Sequence, residues 1–206
     1  ISRDIKLIDP KNGYPNNLLS LDGSSFADLG RKYIDETKWA RSSKPFFVDK
    51  MPNNFVHIGL IKLILPRAKI IDARRNPMDA CFSCFKQYFA KGQHFTYDLD
   101  DIARYYKDYI RLMDYWKKLF PNEIFTINYE DIINNPNDRI EDLLDFCNVE
   151  FEENCLNFHQ SKRPVKTASS EQVRQPMYKS GLDYWKNYVN HLETLIKHFP
   201  DDYKTT

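Results

Sequence analysis

Stretches of helical spacing and short apolar bursts take turns along this chain. Ser24-Ser25-Phe26-Ala27-Asp28, followed by Leu29, Tyr33 and Ile34, predicts a helix running to about Ala40, because a hydroxyl at the cap and a nearby acid can satisfy the unpaired first amides. Lys44-Pro45 then feeds Phe46-Phe47-Val48, which reads as a short buried parallel strand delivering Asp49 and Lys50 at its C-terminal end. A helix from about Asn54 to Leu65 is stopped by Pro66, and Ala68 to Ala73 is a second strand. Arg74-Arg75-Asn76-Pro77 leads into a helix from Met78 to about Phe89. Leu99 to Leu119 carries Tyr105, Tyr109, Leu112, Met113 and Trp116 at helical spacing, with its aromatic stripe assigned to the core, and Ile124 to Asn128 is a third strand. Further helices are predicted over Asn137 to Phe146, Glu152 to Phe158 and Leu182 to Phe199. Ser161 to Tyr178 has no periodicity and exceeds the usual ~4–6 residues of a connection, a length that points to a functional loop or to disorder.

Strands alternating with helices predict an α/β fold in which a central parallel sheet is flanked by helices, and ligands of such sheets bind beyond the C-terminal strand ends. Those ends are Asp49-Lys50, Arg74-Arg75 and Asn128-Tyr129. A chain of 206 residues suits a single domain over 1–206. Lys plus Arg total 30 against 29 Asp plus Glu, so no overall positive field draws in nucleic acid or an anionic membrane, and any anion needs a local site. No apolar run approaches the ~18–20 residues of a membrane span, and Ile58 to Leu65 is interrupted by Lys62. The chain opens at Ile1 without a charged-then-apolar leader, which leaves room for a signal, an anchor or a domain upstream. Cys81, Cys84, Cys147 and Cys155 are scattered through helical patterns and read as free thiols; Cys81-x-x-Cys84 lacks the second pair that a metal site would want.

At the second strand end, Arg75 precedes Asn76-Pro77 and then Ser83 within the next helix. A guanidinium at the strand exit and a hydroxyl on the following helix can converge on one phosphate beside the helix N-terminus. From spacing alone, a surface ion pair for Arg75 and an idle Ser83 explain the pattern equally well.

Resemblance separates the two. Arg75-Asn76-Pro77-Met78-Asp79-Ala80-Cys81-Phe82-Ser83 resembles the R-[ND]-P-x-D-x-x-x-S segment that holds the 3′-phosphate of the donor in sulfotransferases. Asp49-Lys50-Met51-Pro52 resembles their D-K-x-P, Tyr129-Glu130-Asp131-Ile132 their Y-E-D-L, and Ser169 to Pro176 their late nucleotide-covering loop, all in the family's order. The likeness runs from about Phe46 to Tyr188 and is strongest toward bacterial members fused to tetratricopeptide repeats and toward tyrosylprotein sulfotransferases. It implies a three-layer P-loop-type fold and transfer of a sulfuryl group from 3′-phosphoadenosine 5′-phosphosulfate to a hydroxyl acceptor, without a metal. It further implies that Arg75 and Ser83 hold the 3′-phosphate, that Tyr129 touches the nucleotide, that Ser169 and Arg174 come from the closing loop, and that Lys50 is the catalytic cation. An ammonium near the bridging oxygen offsets charge that builds on the departing phosphate.

Two departures bear on this expectation. Family members carry a Gly-rich R-[ST]-G-T-T loop whose amides cradle the 5′-phosphosulfate, whereas the glycines here, Gly13, Gly23, Gly30, Gly59, Gly92 and Gly181, are all isolated. The first strand, that loop and the catalytic base are therefore expected upstream of Ile1, and these 206 residues alone are expected to be inactive. Gln87 and Tyr184 stand where tyrosylprotein members have Arg and Lys. The rival readings are a non-catalytic binding or assembly module on the same scaffold, discriminated by whether an upstream R-x-G-T-T loop is intact, and a P-loop kinase relative. The acceptor stays open among carbohydrate, peptide tyrosine and small alcohol, an upstream helical-repeat domain is a partner the resemblance allows, and the expected location is the cytoplasm, or the Golgi lumen if an anchor precedes.

Overall fold

The computed structural model describes residue 9 and residues 11–41, 44–89, 92–161, 172–177 and 181–204. The chain forms two compact units, Ile1–Ala68 and Lys69–Thr206.

The first unit is built on helices α1 (Gly23–Glu36) and α2 (Ile58–Ile64), with Leu29, Leu60 and Ile64 as its buried core. The cap of α1 is Asp22 rather than Ser24: its carboxylate accepts from the Ser25 amide at 2.8 Å and from the Ser24 and Ser25 hydroxyls at 2.8 and 2.7 Å. The Ser25 amide first, then the two hydroxyls, hold the Asp22 carboxyl down at about 2. Two hydroxyls thus serve the cap instead of being it. The Thr37 hydroxyl donates to the Tyr33 carbonyl at 2.7 Å where α1 ends. Gly30 allows the two helices to approach closely, since a Cβ there would meet the Ile64 carbonyl oxygen at 2.0 Å. Lys62 is 9% exposed and donates to the Pro66 and Ala68 carbonyls at 2.6 and 3.1 Å, which satisfies its ammonium beyond the end of α2. Phe46-Phe47-Val48, expected to be the first buried strand of the chain, is not one. Phe46 and Val48 are 65% and 85% exposed, and residues 46–51 enter no sheet among the described residues. A strand needs a paired neighbour, and three apolar residues behind a proline supply too few ladder groups to hold one.

The second unit carries the sheet. Strands β1 (Ile70–Arg74) and β2 (Ile124–Asn128) pair in parallel with Ile70 opposite Ile124 and Arg74 opposite Asn128. The crossover between them holds α3 (Pro77–Lys86) and the 21-residue α4 (Leu99–Leu119), as parallel pairing demands. After β2 come α5 (Tyr129–Asn134) and α6 (Pro136–Cys147), and the chain closes through a 3-10 stretch at Tyr184–His191 with α7 (Glu193–His198) and α8 (Pro200–Lys204). Both faces of the sheet have helical cover. Tyr109 of α4 meets Asp72 on one face, while Phe146 of α6 stacks on Phe125 at 5.3 Å on the other. The main core lies where α3, α4 and the C-terminal segment meet: Met78, Cys81, Phe82, Ile102, Ala103, Trp185, Leu192, Leu195 and Phe199 are all buried. Two expected helices, after Glu152 and after Leu182, are instead built largely of 3-10 turns at Glu153–Cys155, Phe158–Gln160 and Tyr184–His191, the last kinked at Tyr188. All four thiols are free, and burial pushes that of Cys81 up to about 12.

Candidate functional site

Because β1 and β2 end in register, Arg75 and Tyr129 are the first residues beyond two adjacent parallel strands, and the Arg75 guanidinium carbon lies 5.4 Å from the centre of the Tyr129 ring. Asn76 then turns the chain into α3. Its side-chain oxygen accepts from the Met78 and Asp79 amides at 2.9 and 3.4 Å, and Pro77 fills the first helical position, where no amide hydrogen is needed. The backbone amide of Asn76 is taken by Glu130, whose Oε1 accepts it at 2.8 Å. Each strand exit is thus fixed by the other.

Arg75 is 29% exposed and its hands are turned toward protein groups. One terminal nitrogen donates to the Gly181 carbonyl and lies 3.7 Å from an Asp79 carboxylate oxygen, while Nε is buried with no hydrogen-bond partner among the described residues. An unpaired buried guanidinium nitrogen is costly, which marks Arg75 as a side chain short of a partner in this arrangement. Asp79, 3% exposed, accepts the Asp183 amide at 2.9 Å, which ties the C-terminal segment to α3. Burial raises the Asp79 carboxyl above its ordinary value, against the lowering pull of the Asp183 amide and of Arg75.

Below Arg75, α4 anchors the strand end. The Tyr106 hydroxyl donates to the Arg75 carbonyl at 2.8 Å, and Asp72, 5% exposed, gathers Arg74 Nε at 2.7 Å, the Thr126 hydroxyl at 3.2 Å, Lys117 Nζ at 3.5 Å and the Tyr109 hydroxyl. Burial, before any partner, drives the Tyr106 and Tyr109 hydroxyls well above the ordinary phenol range. These tyrosines are half-buried with tethered hydroxyls, and the fully buried positions of α4 are Ile102, Ala103 and Met113.

A family model described as the Sulfotransferase family matches residues 11–153. The chain belongs to the sulfotransferase family. It is 35% identical over 200 residues to an uncharacterized protein of Aquifex aeolicus (strain VF5), an alignment covering 95% of this chain and 26% of that protein. The chain therefore spans about a quarter of the length of that relative. Among solved structures, a sulfotransferase domain from the curacin biosynthetic pathway superposes with a TM-score of 0.54 at 18% identity, over 77% of this chain and 60% of that one, a likeness of fold.

Within this member of the sulfotransferase family, the residues singled out by the sequence fall in several places. Arg75 and Tyr129 are brought together as described, and Ser83 lies exposed on α3. Lys50 is exposed in the first unit, next to Asp49, whose carboxylate accepts the Tyr33 hydroxyl at 2.6 Å. Burial, then that bond, raises Tyr33 to about 12. Ser169 lies outside the described residues, as does most of the Ser161 to Tyr178 loop; Arg174 is exposed and donates to the Ser161 carbonyl. Sequence reasoning assigned no role to Asp79, Tyr106, Glu130 or Gly181. Asp79 and Glu130 sit inside the two quoted motifs, so a signal for them existed; Tyr106 and Gly181 gave none. Asp98, Asp100 and Asp101, whose carboxylates cluster at the start of α4, are accounted for as helix-cap groups: Asp98 accepts the Asp100 and Asp101 amides at 2.8 and 3.0 Å. Among the described residues no helix is long and apolar enough to cross a membrane.

Proposed function

We propose that this chain supplies the nucleotide-binding side of a sulfotransferase that uses 3′-phosphoadenosine 5′-phosphosulfate and transfers the sulfuryl group to a hydroxyl acceptor. The observation that carries the reading is Arg75: a half-buried guanidinium at a strand exit, with a buried Nε unpaired among the described residues, next to the N-terminal turn of α3 and over the Tyr129 ring. Such a group stands beside a helix N-terminus, where a phosphate is favoured, and among the described residues one of its donors lacks a partner. In this reading Arg75 and Ser83 clamp the 3′-phosphate, Tyr129 forms part of the wall, and Ser169 and Arg174 belong to the covering loop. Lys50 offsets charge on the departing bridging oxygen. No R-[ST]-G-T-T loop occurs in the 206 residues, so we assign them nucleotide binding and leave turnover to a polypeptide that also carries that loop.

Calorimetric titration with adenosine 3′,5′-bisphosphate, adenosine 5′-monophosphate and ATP tests the assignment. The bisphosphate is expected to bind best, and Arg75→Ala to weaken it by about tenfold or more while leaving the monophosphate nearly unchanged, since charge-assisted bonds contribute ~1.5–3 kcal/mol. Equal losses for the two adenosine nucleotides, or a preference for ATP, would sink it.

A further inference from the structure

One face of α3 carries a line of chemistry longer than the motif that drew attention to it. Asp79, Ser83 and Lys86 stand at i, i+4 and i+7, so they share that face, and Arg75 reaches it by pairing with Asp79. The Arg75 guanidinium therefore lies at the N-terminal end of that face, and Ser83 follows one turn beyond Asp79. Lys86 approaches from the other end. Side chains on a helix lean toward its N-terminus, and the Lys86 ammonium lies 5.2 Å from the centre of the Phe82 ring, one turn back, and 3.9 Å from that of Tyr184. The rise from Ser83 to Lys86 is only ~4.5 Å along the axis, well within the reach of a lysine.

These contacts give Lys86 a direction without neutralising it. Among the described residues it has no acidic partner, and its fixed neighbours are two rings, Phe82 and Tyr184, whose hydroxyl is 3.2 Å from that of Tyr188. A cation over an aromatic face is held by the ring's electron density at ~0.5–1 kcal/mol when exposed, too little to replace an anion. The Ser83 hydroxyl is likewise exposed, with no hydrogen-bond partner among the described residues. The Arg75 guanidinium at the head of α3 and, along one face of the helix, a hydroxyl without a partner among the described residues and an unneutralised ammonium thus follow one another.

Building on the nucleotide reading above, we infer that Lys86 is a second phosphate-binding cation of this site, closing on the 3′-phosphate of the nucleotide from the side opposite Arg75, with Ser83 between them. Tyr184 is its positioning residue: the ring keeps the ammonium turned back along α3 instead of out to solvent.

The experiment is titration of adenosine 3′,5′-bisphosphate and adenosine 5′-monophosphate into the wild type, Arg75→Ala, Lys86→Gln and Lys86→Arg. Lys86 is exposed, so these variants should fold. Lys86→Gln is expected to lose about fivefold to tenfold in bisphosphate affinity with the monophosphate unchanged, and Lys86→Arg to keep most of the affinity. The inference is overturned if Lys86→Gln binds the bisphosphate as the wild type does while Arg75→Ala does not. If the wild type itself fails to prefer the bisphosphate, the nucleotide reading falls and takes this one with it.

Discussion

Glu130 accepts the backbone amide of Asn76 at 2.8 Å, so the residue that follows Tyr129 after one strand holds the turn that presents Arg75 after the other. Two segments 54 residues apart in sequence are one device: Asn76 caps α3 with its side chain while its amide is secured by the carboxylate of the neighbouring turn. Glu130→Ala should leave a part-buried amide unpaired and cost about 1–2 kcal/mol, whereas Glu130→Gln, which retains an acceptor, should cost less than half of that. Urea unfolding of the two variants measures this, and equal losses would mean that the contact contributes little.

Asp72 gathers two cations and two hydroxyls while only 5% exposed. Removing its charge takes the counter-charge from Lys117 and from Arg74, which already has one buried guanidinium nitrogen unpaired among the described residues. Asp72→Asn is expected to lose about 3 kcal/mol, the low end for a broken buried pair because the Arg74 and Lys117 side chains are 17% and 31% exposed. Tyr109→Phe removes one bond and should cost about 1 kcal/mol. Denaturant midpoints for the two variants check the order, and a Tyr109→Phe loss as large as that of Asp72→Asn would shift the weight of the cluster onto the hydroxyl.

How far the sequence could be read follows the range of the forces involved. The span Leu99 to Leu119 and the strand Ile124 to Asn128 were legible to the residue, because a long helical periodicity and an apolar burst between turn residues are local signals. Phe46 to Val48 carried the same kind of burst yet forms no strand, because pairing depends on a neighbour that no local pattern encodes. The Asp22 cap was missed because two serines beside it are equally good capping types, and only geometry shows which oxygen meets the Ser25 amide. At the site, Arg75 and Tyr129 could be named from strand ends plus resemblance. Tyr106 could not, since its hydroxyl reaches a backbone carbonyl 31 residues away.

Gly30 lies inside α1, where glycine is normally unfavourable, and the reason is the Ile64 carbonyl of α2. A Cβ would sit 2.0 Å from that backbone oxygen, so Gly30→Ala must push the helices apart and should cost about 2–3 kcal/mol. Gly23, at the open start of the same helix, has nothing within 4 Å of an added Cβ, and Gly23→Ala should be neutral or gain up to about 1 kcal/mol. Thermal melts of both variants test the contrast. A Gly30→Ala variant that melts with the wild type would disprove the close crossing.

Under the proposed reaction, Lys50→Met separates binding from chemistry. An exposed ammonium that acts on charge developing at the bridging oxygen is worth most in the transition state. In a polypeptide that carries a donor loop, turnover at saturating donor should fall by a hundredfold or more, an order of magnitude typical of removing one such group, while adenosine 3′,5′-bisphosphate affinity changes by less than about threefold. Unchanged turnover would remove Lys50 from the mechanism.

Asp79 links Arg75 to the C-terminal segment through a carboxyl that burial raises above 3.8. The sign of its effect on stability follows from which state holds the proton more tightly. The folded protein binds it more tightly than the unfolded chain does, so stability contributed by this group is present in full below 3.8 and is lost as pH rises through the folded value. Ionised Asp79 at neutral pH is therefore a standing cost, offset in part by the Asp183 amide and Arg75. Asp79→Asn keeps a side-chain oxygen for the Asp183 amide but has no proton to lose, so it escapes that cost while giving up the charge that faces Arg75. The variant should consequently compare better with the wild type at pH 7 than at pH 3. Urea midpoints of the pair at both values decide the matter: a difference that favours the wild type more at pH 7 would show that the ion pair with Arg75, and not burial, sets the state of Asp79, and one that is the same at pH 3 and pH 7 would show that the two effects cancel.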